Sequence, residues 1–266
     1  MTAALACAPQ TAEISSARPE PESAAIRVSG AGGTTDVLMG LADEYSKINS
    51  SISFKFFEGS GSSGGVKSVN AKLLDFGAMS RPPKESELET GIEYVPFAEE
   101  RVAVVTSPDL QIPSLSIEQI RAIFTGEIGN WSAIGGPDEQ IRLIIREEDD
   151  SNTKIIRAGI IGDAPFSETA LVMTREDDAK NALNNATYAI GYLGFSGIIV
   201  SALDVHTVSL DGLHPADPDI DYPLASRMLG VAFLPDRGKE FQGFVDFLTD
   251  TSAKKLLATY GLLAIK

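Results

Sequence analysis

The chain has a single cysteine, Cys7, and only two histidines in 266 residues. One cysteine rules out an intramolecular disulfide. With no H-x-x-x-H or C-x-x-C spacing, the sequence also argues against a tight transition-metal site, and no cofactor is implied. No run approaches the ~18 continuous apolar residues that span a bilayer. Positive charge is scarce as well: 22 Lys and Arg stand against 37 Asp and Glu, a formal net charge of −15. A phosphate backbone needs a basic face to displace its counterions, so nucleic acid is not expected as a partner. Adsorption to anionic lipid is disfavoured for the same reason. Small anions remain possible ligands, because local dipoles rather than net charge make such sites. Hydrophobic residues make up 43% of the chain, which places it with soluble globular proteins, and the length allows one large domain or two small ones.

What is present begins with a short N-terminal stretch, "MTAALACAPQ". Ala4-Leu5-Ala6-Cys7 resembles a lipoprotein processing site, which makes Cys7 a lipidation candidate, although the basic and long apolar regions of a full signal are missing. Residues 8–25 are rich in Pro, Glu, Ser and Ala without apolar periodicity and read as a disordered tether. Folded structure is expected from Ile26 onward. Strand-like runs alternate with helical ones throughout, predicting an α/β architecture with mainly parallel sheets. "SLSIEQIRAIFTG" is a helix with Ser116 as N-cap and Gly126 as stop. Three helix starts follow stretches rich in Gly, Ser and Thr, at 30–35, 59–65 and 151–153. A helix N-terminus carries about half a positive charge and unpaired N–H groups, so each is a potential anion cradle.

Two enzyme motifs overlap in "GSGSSGG". G-x-G-x-x-G is a dinucleotide fingerprint, but the acid required about 20 residues later is replaced by Ser80 and Arg81. G-x-S-x-G would make Ser63 the nucleophile of a serine hydrolase, with His206 or His214 as base. That reading requires a histidine within hydrogen-bond reach of Ser63. "IREEDDSNTKI", at residues 145–155, sets Arg146 and Ser151-Asn152-Thr153 on either side of four consecutive acids. A run of like charges is ordinarily a solvated loop, yet its two ends are groups that an anion site uses.

"IFTGEIGNWSAIGG" (123–136) and "ATYAIGYLGFSG" (186–197), with "VSGAGGTT", "GSGSSGG" and "FGAMSRP" in that order, resemble the phosphate-binding proteins of ABC transporters. The resemblance covers residues 26–266. It implies a type II periplasmic-binding-protein-like clamp: an α/β fold of two lobes joined by two interlobe crossings. Residues 26–105 plus 205–266 would form lobe 1, 106–204 lobe 2, and 1–25 the leader remnant and linker. It further implies an extracytoplasmic receptor, periplasmic or lipid-anchored, monomeric, and without catalytic residues. Such a receptor captures inorganic phosphate in the interlobe cleft for a permease. Other oxyanions (sulfate, molybdate, tungstate), or a sensory use of the same clamp, are the alternatives.

Carried onto this chain, the resemblance offers Thr34, Thr35, Ser62, Ser63, Ser80, Arg81, Arg146, Ser151, Asn152 and Thr153 as ligand-binding residues. Asn152 stands where the family has Gly, and Asn tolerates the left-handed backbone. The spacer after Arg146 is one residue longer than in the family, leaving Arg142 and Arg157 as alternatives. Arg81 stands where the best-known members carry an acid, and Glu85 or Glu87 are possible ion-pair partners for it. A carboxylate at that point accepts a proton from hydrogen phosphate and rejects sulfate, so its absence leaves the choice of oxyanion open.

Overall fold

The structure, a computed structural model, describes residues 25–217 and 219–265. Cys7 and the expected tether lie outside the described residues. The chain opens with β1 (Ala25–Gly30), α1 (Gly32–Ile48), β2 (Ser53–Phe56), α2 (Gly61–Asn70), β3 (Phe76–Met79), α3 (Glu85–Leu88) and β4 (Glu93–Glu100). It continues through β5 (Val102–Thr106), β6 (Ser114–Leu115), α4 (Ile117–Thr125), β7 (Arg142–Arg146) and α5 (Ser151–Ile156). A π-helical turn at Arg157–Ile161 extends α5. There follow β8 (Leu171–Met173), α6 (Glu176–Asn185), β9 (Ala189–Gly194), α7 (Phe195–Val200) and β10 (His206–Leu210). The chain closes with β11 (Arg227–Phe233), α8 (Pro235–Glu240), α9 (Gln242–Phe247) and α10 (Thr251–Thr259). None of the described helices is long and apolar enough to cross a membrane.

The strands form two sheets, ordered β2-β1-β3-β11-β4 and β6-β10-β5-β9-β7-β8. Each is mixed rather than mainly parallel. Strands linked by helices on one side, β1 with β2 and β3, or β7 with β8 and β9, run parallel. Those flanking the passages between sheets, β4 with β11 and β5 with β9 and β10, run antiparallel. A strand arriving from the other sheet needs no same-sheet crossover helix, so it is free to enter in the opposite direction.

The chain leaves the first sheet at Glu100, enters the second at Val102, and returns between Leu210 and Arg227. β5 and β10, expected largely with the first unit, therefore pair in the second sheet. Val102–Thr106 pairs with β9, a long-range partnership that the alternation of strands and helices does not disclose.

Local chemistry explains the elements that position the cleft. In α1, Val37, Leu38, Leu41, Ala42 and Tyr45 form one buried stripe against the first sheet. α4 starts on a capping box in which Ser116 Oγ accepts from the Gln119 N–H at 3.1 Å and the Gln119 side chain accepts from the Ser116 N–H at 2.9 Å. It stops at Gly126, whose φ of 85° suits glycine. Trp131 is fully buried and donates its indole N–H to the Tyr188 carbonyl at 3.0 Å. "FTG…NW" is thus a helix stop followed by a core anchor, away from the cleft. β9 ends at Gly194, and the following residues are helical from Phe195 as α7.

Ile120 is fully buried in the core of the second sheet. Ile120→Ala is expected to lower unfolding free energy by about 2–5 kcal/mol, through lost burial and a residual cavity, as read from urea denaturation.

Candidate functional site

Between the two sheets lies a cleft of about 880 Å³. Its walls come from both units: the starts of α1 and α2 and the turn after β3 on one side, the 146–151 loop and the start of α6 on the other, with Arg227 from β11. Hydrogen bonds and ion pairs span it. Ser80 Oγ lies 2.9 Å from Ser151 Oγ, and Arg227 Nη1 donates to Ser151 Oγ at 2.8 Å. Lys180 on α6 pairs with Asp36 on α1, and Arg175 lies 3.3 Å from Glu58.

The structure sorts the expected site residues into two groups. Ser62, Ser63, Ser80, Arg81, Arg146 and Ser151 line the cleft. Thr34, Thr35, Asn152 and Thr153 do not: the three threonine hydroxyls and the backbone N–H groups of Asn152 and Thr153 are bonded elsewhere, while the buried Asn152 side-chain amide has no hydrogen-bond partner. Thr34 Oγ1 donates to the Met79 carbonyl at 3.2 Å, so the loop before α1 presents Gly32 and Gly33 to the cleft instead. The Thr35 hydroxyl and N–H both donate to the Ala31 carbonyl, each at 2.9 Å, leaving Thr35 no free donor. Thr153 Oγ1 lies 2.7 Å from the Tyr192 hydroxyl and 3.3 Å from the Arg146 carbonyl. The backbone N–H groups of Asn152 and Thr153 donate to Asp150, at 2.9 and 3.3 Å. Asp150 is the N-cap of α5, so a carboxylate of the chain itself occupies those donors.

Of Arg142, Arg146 and Arg157, the one that reaches the cleft is Arg146. Arg142 is exposed at the far end of β7, and Arg157 forks onto Glu148 at 2.5 Å through both Nε and Nη2. The Arg146 N–H donates to the Tyr192 hydroxyl at 3.1 Å, so the tyrosine of "AIGY" fastens the loop without lining the cleft. Arg146 Nη2 lies 3.4 Å from Asp150 Oδ2, while its buried Nε and Nη1 have no hydrogen-bond partner. Arg81, by contrast, forks onto Glu87 at 2.8 Å and 2.8 Å, and its Nη2 also donates to Ser63 Oγ at 2.9 Å. That ion pair holds the Glu87 carboxyl below the usual carboxylate range.

Three acids and a second arginine complete the site, none of them anticipated from the sequence. Glu176, at the first turn of α6, is buried, with Oε1 unpartnered and Oε2 4.0 Å from Arg146 Nε. Burial raises its pKa, opposed by the charges of Arg227, Lys180 and Arg146. Arg227 donates through Nε to Glu100 at 2.6 Å. Burial works against the Arg227 charge, but Glu100, Glu176 and Asp150 hold its pKa above the ordinary value. Two arginines and three carboxylates thus cluster at one largely buried centre. The signal for Arg227 was a lone cation heading an otherwise apolar strand run, "RMLGVAF". Glu176 and Asp150 looked like ordinary first-turn and loop acids.

The hydrolase geometry is not met. Ser63 Oγ accepts from Arg81, His206 Nε2 lies 3.1 Å from the Pro108 carbonyl, and His214 Nδ1 accepts from the Ala216 N–H at 3.2 Å. Neither histidine is the partner that a nucleophilic Ser63 requires.

What the centre can do follows from its unmet groups. Arg146 Nε and Nη1 are donors without acceptors, and Glu176 Oε1 is an acceptor without a donor. A complementary guest is a small oxyanion that takes hydrogen bonds from the arginine and returns one to the glutamate.

Comparison with known proteins agrees with this architecture. The phosphate-binding protein PstS of Borreliella burgdorferi is 23% identical over 253 residues, covering 91% of this chain and 90% of that protein. The phosphate-binding protein PstS of Bacillus subtilis is 26% identical over 213 residues, covering 77% and 69%. A substrate-binding protein with bound phosphate from Clostridium perfringens shares the fold at a TM-score of 0.78 and 22% identity, over 91% of this chain and 100% of that one. Residues 15–252 match the model of the PBP superfamily domain. The chain belongs to the PBP superfamily.

Proposed function

We propose that this protein is an extracytoplasmic receptor that captures inorganic phosphate between its two sheets and delivers it to an ABC import permease. Phosphate would bind by closing the two units on itself, a hinge motion about the passages at 100–102 and 211–226. On this reading the lobes are 25–100 plus 227–265, and 102–210. Relatives named as phosphate-binding proteins support the ligand class. The function is binding, with no bond made or broken.

The observation that carries phosphate in particular is that two cleft-lining residues hold unpartnered buried groups of opposite kind, Oε1 on Glu176 and the Nε and Nη1 donors on Arg146. Hydrogen phosphate satisfies both, accepting from Arg146 and from the Ser80 and Ser151 hydroxyls while giving its proton to Glu176. Sulfate has no proton to give at neutral pH and would leave two anions in contact in a dehydrated site. The acid missing after Ser80 is thus replaced by one from the opposite wall.

In competition calorimetry the protein is expected to prefer phosphate to sulfate, and Glu176→Gln to narrow that preference, because an amide can donate to either anion. A wild type that prefers sulfate would overturn the assigned ligand while leaving the fold intact. Arg146→Ala is expected to weaken phosphate binding by about 10- to 100-fold, the loss of charge-assisted hydrogen bonds to a buried anion. Unchanged affinity would remove Arg146 from the site.

Glu176 also gives a pH signature in the ligand-free protein. A carboxyl whose folded pKa is raised binds more protons in the native state, so its contribution to stability falls as pH rises from the unfolded value, ~4.3, through the folded one. The melting temperature of Glu176→Gln should match wild type below that window, exceed it increasingly as pH rises through the window, and stay above it by a constant margin beyond. A pH-independent difference would count against a strained Glu176.

A further inference from the structure

The pathway through Arg227 links the cleft to the point where the chain passes between its two sheets. Arg227 belongs to β11 of the first sheet, yet its Nη1 reaches Ser151 on the second unit's side of the cleft at 2.8 Å. Its Nε donates to Glu100 Oε2 at 2.6 Å, and Nη2 stands 2.5 Å from the same oxygen without the alignment of a hydrogen bond. Glu100 is fully buried and ends β4, one residue before the chain enters the second sheet. Its other oxygen accepts the N–H of Ser196 at 3.0 Å and the Ser196 hydroxyl. Ser196 sits in the first turn of α7, beyond β9 of the second sheet, and its neighbour Phe195 donates to the Arg101 carbonyl at 3.0 Å.

Space confirms how tightly this path is built. A methyl group on Gly194 would come within 2.4 Å of Arg227 Nη2 and 2.6 Å of Glu100 Oε1. One on Gly33, at the α1 start that lines the cleft, would come within 3.2 Å of the same Nη2. Backbone from both units thus closes directly over one guanidinium.

Resting on the phosphate reading above, we propose that Arg227 is a second ligand-facing arginine, and that through Glu100 and Ser196 it couples an anion in the cleft to the relative position of the two units. A buried guanidinium shares its five donors among fixed acceptors. An anion that draws Nη1 and Nη2 toward the cleft changes what the fork gives to Glu100, and Glu100 is bonded to elements of both units. Ser196 takes part without lining the cleft, which makes the coupling separable from direct contact.

The test compares wild type, Arg227→Lys and Ser196→Ala as full chains. Inorganic phosphate is titrated by calorimetry, ligand-induced contraction is followed by small-angle X-ray scattering, and folding is checked by thermal melts. Arg227→Lys keeps the charge and loses the fork; it is expected to lower affinity about 10- to 100-fold. Ser196→Ala leaves every cleft donor in place, so a merely structural role would leave binding unmoved. It is expected to lower affinity two- to tenfold, and both variants are expected to contract less at saturating phosphate, on the scale of a lost hydrogen bond. If either folded variant binds and contracts like wild type, the coupling is overturned. Should Arg227→Lys fail to fold, Ser196→Ala decides alone. A wild type that gives no heat with phosphate overturns the ligand assignment instead, and the same variants are then read with whichever of sulfate, molybdate or tungstate the wild type binds.

Discussion

A buried guanidinium has to be answered from every side, and Arg227 is answered by residues from most of the molecule. Desolvating a charge costs several kcal/mol even after relaxation, and that cost is recovered only with close partners and good geometry. Glu100 supplies the countercharge, Ser151 supplies an acceptor across the cleft, and Gly33 and Gly194 leave room for the head group. Glu100 in turn needs Ser196. Each requirement fixes a different element: β11, β4, α7, α1 and the start of α5. The two passages between the sheets, which a hinge would use, meet in this one network.

The same reasoning shows why a net charge of −15 does not by itself bar an anion from the cleft. Exposed acids are screened by salt over about 8–10 Å, whereas buried cleft groups act at contact. Around Glu176 the charges of Arg227, Lys180 and Arg146 oppose the effects of Asp150 and of its own burial. A guest that brings a proton adds less uncompensated negative charge to such a set than one without. Burial, which raises the pKa of Glu176, and a guest that carries its own proton are two expressions of that one constraint.

Much of the fold was legible in the sequence because it is written in local chemistry. The Gly- and Thr-rich stretch at 30–35 marked the start of α1, and Ser116 as N-cap and Gly126 as stop bounded α4. Sheet membership was not legible in the same way. β5 and β10 look like their neighbours and differ only in their long-range partners. For the site, the segments were legible and the side chains were less so. Thr34, Thr35 and Thr153 are right for an anion site by residue type, but a nearby carbonyl or tyrosine claims each hydroxyl. Glu176 was hidden for the opposite reason: a first-turn acid is ordinarily exposed and stabilises its helix there. Only the approach of α1 to α6 buries it.

The acid run after Arg146 shows how finely such a distinction is drawn, since its members diverge in role although they are nearly alike in sequence. Glu148 pairs with Arg157 and Asp149 with Lys154, both on the surface, where ion pairs contribute little to stability. Asp150 turns inward. By capping α5 it takes the N–H groups of Asn152 and Thr153, and by standing 3.4 Å from Arg146 Nη2 it occupies one edge of that guanidinium. Arg146 Nε and Nη1, on different edges of the guanidinium, are left without a hydrogen-bond partner. A carboxylate inside an anion site is therefore not simply a repulsive charge. It engages one edge of the arginine and the first N–H groups of α5, and Ser151 is the residue of that helix start whose hydroxyl lies among the cleft-lining groups.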